Sequence, residues 1–330
     1  MMKNRVENHS CDFLDSCAEL EYSQRAFAGM EELMADNNVV LVTGASTGFG
    51  RLISVTLARR GYTVFASMRD IGGRNRSHAA DLEELGRKES LRLSAVELDV
   101  TSDTSVEQAV ERVIRDAGRI DTVVNNAGVA YWGLLEAFTV DQAKQIFETN
   151  FFGPLRVNRA ALPYMRPRRS GLLIHVSSLA GRLILPSMGL YCATKFALEA
   201  MAETLRYELS QLGIDSISVE PGEYPTAIFG NAAEPADQAR AADYGAVAEV
   251  PRKILDGLAS NNNNTQEVAD RVVELIEMPA GSRPVRSLVG AFAQQCQPVN
   301  DVALQLQTGA MQAFGLSDLM TLRRAERQVA

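Results

Sequence analysis

Asn38-Val-Val-Leu-Val-Thr43-Gly44-Ala45-Ser46-Thr47-Gly48-Phe49-Gly50 is the stretch on which the fold turns. A short apolar run ends in glycines, and residues 49–60 then take helical spacing until Gly61 stops them. A strand, a glycine-rich turn and a helix in succession make a site for an anion. Glycines let the backbone approach a pyrophosphate, and the helix N-terminus supplies free N–H groups and the positive end of its dipole. The spacing is G-x-x-x-G-x-G across Gly44, Gly48 and Gly50, distinct from the G-x-G-x-x-G of the general dinucleotide fingerprint.

Outward from this stretch the pattern alternates. Strands are expected at 62–67, 91–98, 121–125, 172–177 and 214–219, with a last one at 284–289. Helices are expected near 74–88, 102–117 (capped by Thr101 or Ser102), 139–166, 189–212, 265–278 and 300–325. Strands separated by helices imply right-handed βαβ crossovers and a parallel sheet buried on both faces. The expected class is therefore α/β: a Rossmann-like, doubly wound, mainly parallel sheet of about seven strands flanked by helices, in a single domain over 38–330. Residues 223–265 lose the rhythm and are rich in Ala, Asn and Pro, as expected of a substrate loop or lid. Residues 1–37 carry eight acids against Lys3, Arg5 and Arg25 and show no secretory or transit pattern. They read as a disordered tail, with Met30 and Met34 as alternative starts.

Composition narrows the function. The chain has 330 residues, 46% hydrophobic and 22% charged, as in soluble globular proteins. A net charge of −8 argues against nucleic acid as a partner. No apolar run approaches the ~18 residues a membrane span needs. Cys11, Cys17, Cys192 and Cys296 form no C-x-x-C pair, and His9, His78 and His175 are the only histidines, so no metal site is expected. Such cysteine usage suits a reducing cytoplasm.

Further motifs follow in order: Asn125-Asn126-Ala127-Gly128 after the fourth strand, Asn150 on the next helix and Ser178 after the fifth strand. Tyr191-Cys-Ala-Thr-Lys195 lies on the helix beyond, and Pro221-Gly222 with Thr226 after the sixth strand. Together with the glycine loop this series resembles the short-chain dehydrogenase/reductase family over roughly residues 38–290. The thirteen-residue separation of Ser178 from Tyr191 also fits the family, and selects Ser178 over Ser177.

The resemblance implies hydride transfer between a nicotinamide cofactor and a carbonyl or secondary alcohol, with Asn150, Ser178, Tyr191 and Lys195 as the catalytic set. In that family the tyrosine is the acid/base, the serine orients the substrate oxygen, the lysine binds the nicotinamide ribose, and the asparagine holds a water in a proton relay. Cofactor contacts are implied at Gly44, Ser46, Thr47, Gly48, Phe49, Gly50, Asp99, Val100, Asn126, Ala127, Gly128, Tyr191, Lys195, Pro221, Gly222 and Thr226. A homodimer or homotetramer, joined through the helices at 139–166 and 189–212, is implied as well.

Residue chemistry supports the pair at the centre independently. Tyr191 and Lys195 at i,i+4 share one helix face. A free tyrosine titrates near ~10, and a neighbouring ammonium is expected to lower that value and ready the phenol for proton transfer. His175, on an apolar strand, reads as a satisfied core histidine.

The cofactor is read at the end of the second strand. Met68 stands where an NAD-preferring site places an acid, and Arg69 follows, able to grip a 2′-phosphate. Asp70 can pair with Arg69, while Arg74 and Arg76 can assist it. NADP(H) is favoured, with NAD(H) as the alternative. Leu179, Arg182, Leu183, Leu185, Met188, Trp132 and the 223–265 segment are the candidate pocket, so a hydrophobic small-molecule substrate is expected. Glu223 occupies a position often apolar in the family. The competing readings are an NAD-dependent hydroxysteroid-like or lipid alcohol dehydrogenase, and a non-catalytic nucleotide sensor on the same fold. An epimerase or dehydratase is a further one, although those relatives show T-G-x-x-G-x-x-G.

Overall fold

The computed structural model describes residues 38–259 and 262–323. The expected tail at 1–37 lies outside the described residues. Seven strands form one sheet: β1 (Val39–Val42), β2 (Thr63–Met68), β3 (Leu93–Glu97), β4 (Thr122–Asn125), β5 (Gly171–Val176), β6 (Ile214–Pro221) and β7 (Arg286–Val289). Every pairing is parallel, in the order β3-β2-β1-β4-β5-β6-β7. This is the doubly wound, Rossmann-like single domain expected.

The helices are α1 (Gly48–Arg59), α2 (Arg76–Lys88), α3 (Asp103–Ala117), α4 (Val140–Phe147), α5 (Gly153–Met165), α6 (Gly189–Ser210), α7 (Ala227–Gly230), α8 (Gln238–Ala242), α9 (Val250–Ala259), α10 (Gln266–Glu277) and α11 (Gln297–Ala313). Strand side chains alternate in direction, so Val40 and Val42 enter one core while Val39 and Leu41 enter the other. The first core is closed by Ile53 and Leu57 of α1, Leu82 of α2 and Val268 and Val272 of α10. The second is closed by Val106 and Val110 of α3, Val157 and Ala161 of α5 and Leu209 of α6. A fully buried valine, leucine or isoleucine contributes about 1.5–3 kcal/mol, so these two layers hold the sheet.

The chain winds outward from β1 to β3, then returns to place β4 on the other side of β1. Connections therefore diverge above the carboxyl ends of β1 and β4, leaving a crevice there. Such a switch point is where open α/β sheets bind ligands.

Three local expectations change. The helix expected over 139–166 is interrupted by a π turn, Glu148–Phe152. Asn150 at its centre turns inward to the backbone of Val129, and Gly153-Pro154 restarts the helix on a residue that needs no N–H partner. The irregular 223–265 segment carries three short helices, α7 to α9, and a 3-10 turn at Gly245–Glu249. Asp237 caps α8 by accepting from the Arg240 N–H, which lets so short a piece form. The final helix starts at Gln297 and ends at Ala313, where Gly315 takes a left-handed φ of 70°. Between Thr101 and Ser102, it is Ser102 that caps α3, accepting from Ser105 N.

Candidate active site

Above the carboxyl ends of β1 and β4 lies a cleft of about 840 Å³. Its floor at one end is the glycine loop. Gly44 has φ 67°, and a Cβ there would lie 2.7 Å from Cα of Ala127, so only glycine fits. The Thr43 hydroxyl accepts from the N–H groups of Asn126 (2.9 Å) and Ala127 (3.0 Å). The Asn126 amide donates to the carbonyls of Thr43 (2.9 Å) and Gly44 (3.1 Å). These bonds lock the glycine loop to the Asn125–Gly128 motif. Thr47 precedes α1 without a side-chain cap, so the first N–H groups of α1 remain open to a ligand.

Gly44, Ser46, Thr47, Gly48, Phe49, Arg69, Asp99, Val100, Asn126, Ala127, Gly128, Pro221, Gly222 and Thr226 all line the cleft. Gly50 does not. It lies beneath the loop, where a Cβ would come within 2.4 Å of both the Asn126 amide and the Gly44 carbonyl. Its absent side chain permits the loop's closure. Asp99 lines the cleft and also accepts from the N–H (2.9 Å) and hydroxyl (2.8 Å) of Thr101, so it shapes the turn as well.

At the far end of β2, Met68 and Arg69 both face the cleft. The Arg69 guanidinium makes no hydrogen bond or ion pair among the described residues. Asp70 is not its partner: Asp70 accepts from the Arg74 N–H at 2.8 Å and closes its own turn. The Glu97 carboxylate is likewise spent on backbone, accepting from the N–H groups of Asp70 (2.8 Å) and Ile71 (2.7 Å). Arg74, Asn75 and His78 also line this end, whereas Arg76 does not. Sequence reasoning missed Asn75 and His78. Their positions at the start of α2, directly after the Arg69 turn, were the available signal.

The other end of the cleft carries Ser178, Tyr191 and Lys195. β5 delivers Ser178 in extended conformation, its hydroxyl accepting from Ala180 N at 3.1 Å. The first turns of α6 deliver Tyr191 and Lys195, with the Lys195 ammonium 5.6 Å from the centre of the Tyr191 ring. Lys195 Nζ donates to the Val176 carbonyl at 2.9 Å. Burial presses the Lys195 ammonium down to about 8, against the opposing pull of the Glu199 carboxylate. Burial pushes the Tyr191 phenol up to about 12, with Ser178 beside it acting the other way. The shift therefore runs opposite to the expected lowering, because loss of water around the phenolate outweighs the hydrogen bond from Ser178.

Asn150 does not reach the cleft wall; its neighbour Thr149 does. The Asn150 amide donates to the Val129 carbonyl (2.9 Å) and the Thr194 hydroxyl (3.0 Å), and its oxygen accepts from Val129 N (2.9 Å). Thr194 in turn donates to the Tyr191 carbonyl at 2.8 Å. Asn150 thus fastens the segment after β4 to the helix that bears Tyr191. His175 is wholly buried, as expected, but neither ring nitrogen finds a hydrogen-bond partner. Burial, with Lys195 beside it, presses His175 down to about 3, so it is neutral.

Of the expected pocket residues, Leu179, Leu183, Leu185, Met188 and Glu223 line the cleft, joined by Ile228 and Asn231 from the 223–265 segment. Trp132 and Arg182 do not. Trp132 packs with Ile146, Met188 and Cys192 in an apolar cluster behind the cleft wall. Arg182 turns away into a group of buried carboxylates, meeting Glu220 at 3.0 Å. Phe292, after β7, completes the apolar wall and was not anticipated. Among the described residues no helix is long and apolar enough to cross a membrane.

An open parallel sheet with a glycine cradle at its switch point, and a Ser, Tyr and Lys set facing it, defines a nucleotide-dependent oxidoreductase site. Comparison with known proteins agrees. The profile of the short chain dehydrogenase family matches residues 38–237. The chain is 32% identical over 256 residues to a 3-ketodihydrosphingosine reductase of Bacteroides thetaiotaomicron, covering 78% of this chain and 89% of that one. It is 38% identical over 201 residues to human retinol dehydrogenase 8, covering 60% and 62% of the two chains. A short-chain dehydrogenase structure from Streptomyces avermitilis superposes with a TM-score of 0.69 at 30% identity, covering 84% of this chain and 97% of that one. The chain belongs to the short-chain dehydrogenase/reductase family, whose members act on CH–OH and C=O groups with NAD(P).

Proposed function

We propose that the protein reduces a hydrophobic ketone or aldehyde with NADPH, and catalyses the reverse alcohol oxidation. The observation that carries this reading is the convergence of Ser178, Tyr191 and Lys195 at one end of a cleft whose other end presents Arg69.

The residues fit the cofactor. The Gly44 cradle and the open start of α1 suit a pyrophosphate. Arg69, with Arg74 and His78 nearby and no carboxylate of the turn left over, suits a 2′-phosphate. When bound, the cofactor supplies the hydride. Tyr191 donates its phenolic proton to the substrate oxygen. Ser178 hydrogen-bonds the same oxygen and orients it. Lys195 would hold the nicotinamide ribose, and its charge favours proton release from Tyr191. Asn150, its side chain spent on Val129 and Thr194, keeps the π turn and the Val129 segment in register with α6.

Leu179, Leu183, Leu185, Met188, Ile228 and Phe292 favour an apolar substrate, in keeping with the names of the relatives. The 223–265 segment would act as the lid. Oxidation of a lipid alcohol with NAD is the second reading, favoured by the same apolar wall. A panel of short- and long-chain ketones and aldehydes, followed by absorbance with NADPH and with NADH, tests both. Reduction of a long-chain ketone at higher kcat/KM with NADPH supports the proposal; turnover of alcohols alone, with NAD, overturns it. We further place the protein in the cytoplasm as a homodimer or homotetramer. Exposed Phe152 in the π turn, Tyr164 on α5 and Phe196 on α6 supply the apolar faces. A monomer mass by light scattering would contradict that assembly.

A further inference from the structure

Tyr191, Lys195, Glu199 and Glu203 recur every fourth residue along α6 and therefore form one stripe. The stripe starts in the cleft and continues behind it into buried charge. Glu199 Oε2 accepts from Arg182 Nη2 at 3.2 Å, while Oε1 has no hydrogen-bond partner. Ser177, directly after β5, and Ser218 of β6 face this carboxylate. Arg182 also meets Glu203 (3.1 Å) and Glu220 of β6 (3.0 Å). Arg286 of β7 pairs with Glu203 and stands 3.8 Å from Glu199 and 4.0 Å from Glu220. Asn300 of α11 donates to Glu220 at 2.7 Å, and the Cys296 thiol faces Glu220 and Arg182. The adjoining Asp215 is served separately by Arg206 (2.9 Å) and Arg283 (3.5 Å).

Four carboxylates, Glu199, Glu203, Glu220 and Asp215, stand among four guanidinium groups, Arg182, Arg286, Arg206 and Arg283, so the cluster balances in number. Glu199 is the carboxylate of this cluster that lies one turn after Lys195 on the same helix face, and both side chains are buried. A buried ammonium needs an opposite charge close by. Tyr191, a neutral phenol, and His175, a neutral imidazole, supply none. We propose that Glu199 is a positioning residue for the reaction, its carboxylate being the counter-charge through which this buried cluster holds the Lys195 ammonium protonated and in place. The role given to Lys195 rests on the proposed reductase reading; the charge pairing itself does not.

The cluster also reaches the serine. Arg182 follows the 3-10 turn Leu179–Gly181 that Ser178 opens, and a Cβ on Gly181 would lie 3.0 Å from Cγ of Glu199. One carboxylate thus braces both the serine turn and the lysine. Burial first, then Glu220, raises the Glu199 carboxyl above the ordinary carboxylate range. The Arg182 guanidinium beside it acts against that shift.

The test reads Lys195 directly, by NMR titration of the full chain labelled with 13C-lysine and assigned through Lys195→Met. Glu199→Gln is expected to lower the Lys195 midpoint by about one pH unit, roughly a tenfold loss of affinity for its proton. Glu199→Asp, which keeps the charge, is expected to return it to within a fraction of a unit. An unchanged midpoint in Glu199→Gln, or equal shifts in both variants, overturns the proposal. If Glu199→Gln does not fold, Arg182→Gln decides. Removing a cation should leave the Lys195 midpoint at or above that of the unaltered protein, and a fall overturns the proposal. With an active ketone substrate, the alkaline limb of kcat/KM should move with the NMR midpoint. If no ketone is reduced, the reductase reading fails while the NMR titration still decides the charge pairing.

Discussion

Replacing Asn150 by alanine removes three hydrogen bonds at once: those to the carbonyl and N–H of Val129 and to the Thr194 hydroxyl. Asn150 is 1% exposed, so water does not replace them. At about 1 kcal/mol for each bond, the expected loss of stability is about 3 kcal/mol. For a domain of about 290 residues, with an unfolding entropy of about 2.1 cal/mol/K per residue, that corresponds to a fall in Tm of roughly 5 °C. Thr194→Val removes the last of these three partners and also the Thr194 bond to the Tyr191 carbonyl, so it should cost about 2 kcal/mol. The two changes share a bond, so the double variant should lose less than the sum of the singles. Thermal unfolding followed by circular dichroism, with urea titration as a check on ΔG, measures each. A Tm in Asn150→Ala within about 2 °C of the parent would refute the claim that this side chain clamps the Val129 segment to α6.

Arg69→Ala should weaken NADPH binding roughly tenfold and leave NADH binding nearly unchanged, since one exposed charge-assisted contact to a phosphate is lost; titration of cofactor fluorescence checks both. Gly44→Ala places a Cβ 2.7 Å from the Ala127 backbone at a φ of 67°, so it should weaken cofactor binding at least tenfold and lower Tm together. Ketone reduction should fall as pH rises through about 8, because a buried Lys195 with a lowered value is charged below that pH and neutral above it. Tyr191, raised to about 12, remains protonated and able to donate across that range. An alkaline limb at the ordinary lysine value of 10.5 would contradict this assignment.

The fold was legible because its signals are local and repeated. Valine runs such as 39–42 and glycine stops such as Gly61 mark strand and helix ends directly. Tyr191 and Lys195 were legible because i,i+4 spacing on a helix fixes a shared face. The π turn at Glu148–Phe152 was not, since residues 139–166 keep helical spacing and only the tertiary bonds of Asn150 to Val129 reveal the extra residue. Arg182 was misplaced for a related reason. Its nearness to Ser178 in sequence suggested the pocket, but Glu199, Glu203 and Glu220 arrive from other elements and draw it behind the wall. The direction of the Tyr191 shift was also hidden, because burial depends on how far α6 sinks against β5. The 223–265 helices were obscured by low-complexity composition, although the Asp237 cap was a readable start signal.

The central claim is that Tyr191 passes the proton to the substrate oxygen within a cofactor site it does not build alone. The most direct measurement compares Tyr191→Phe with the parent protein for NADPH affinity and for turnover of whichever ketone the substrate panel identifies. The account predicts NADPH affinity within about threefold of the parent, and turnover lowered by roughly 10²–10⁴, the usual contribution of a positioned acid. Turnover at the parental rate, with cofactor affinity intact, would contradict it.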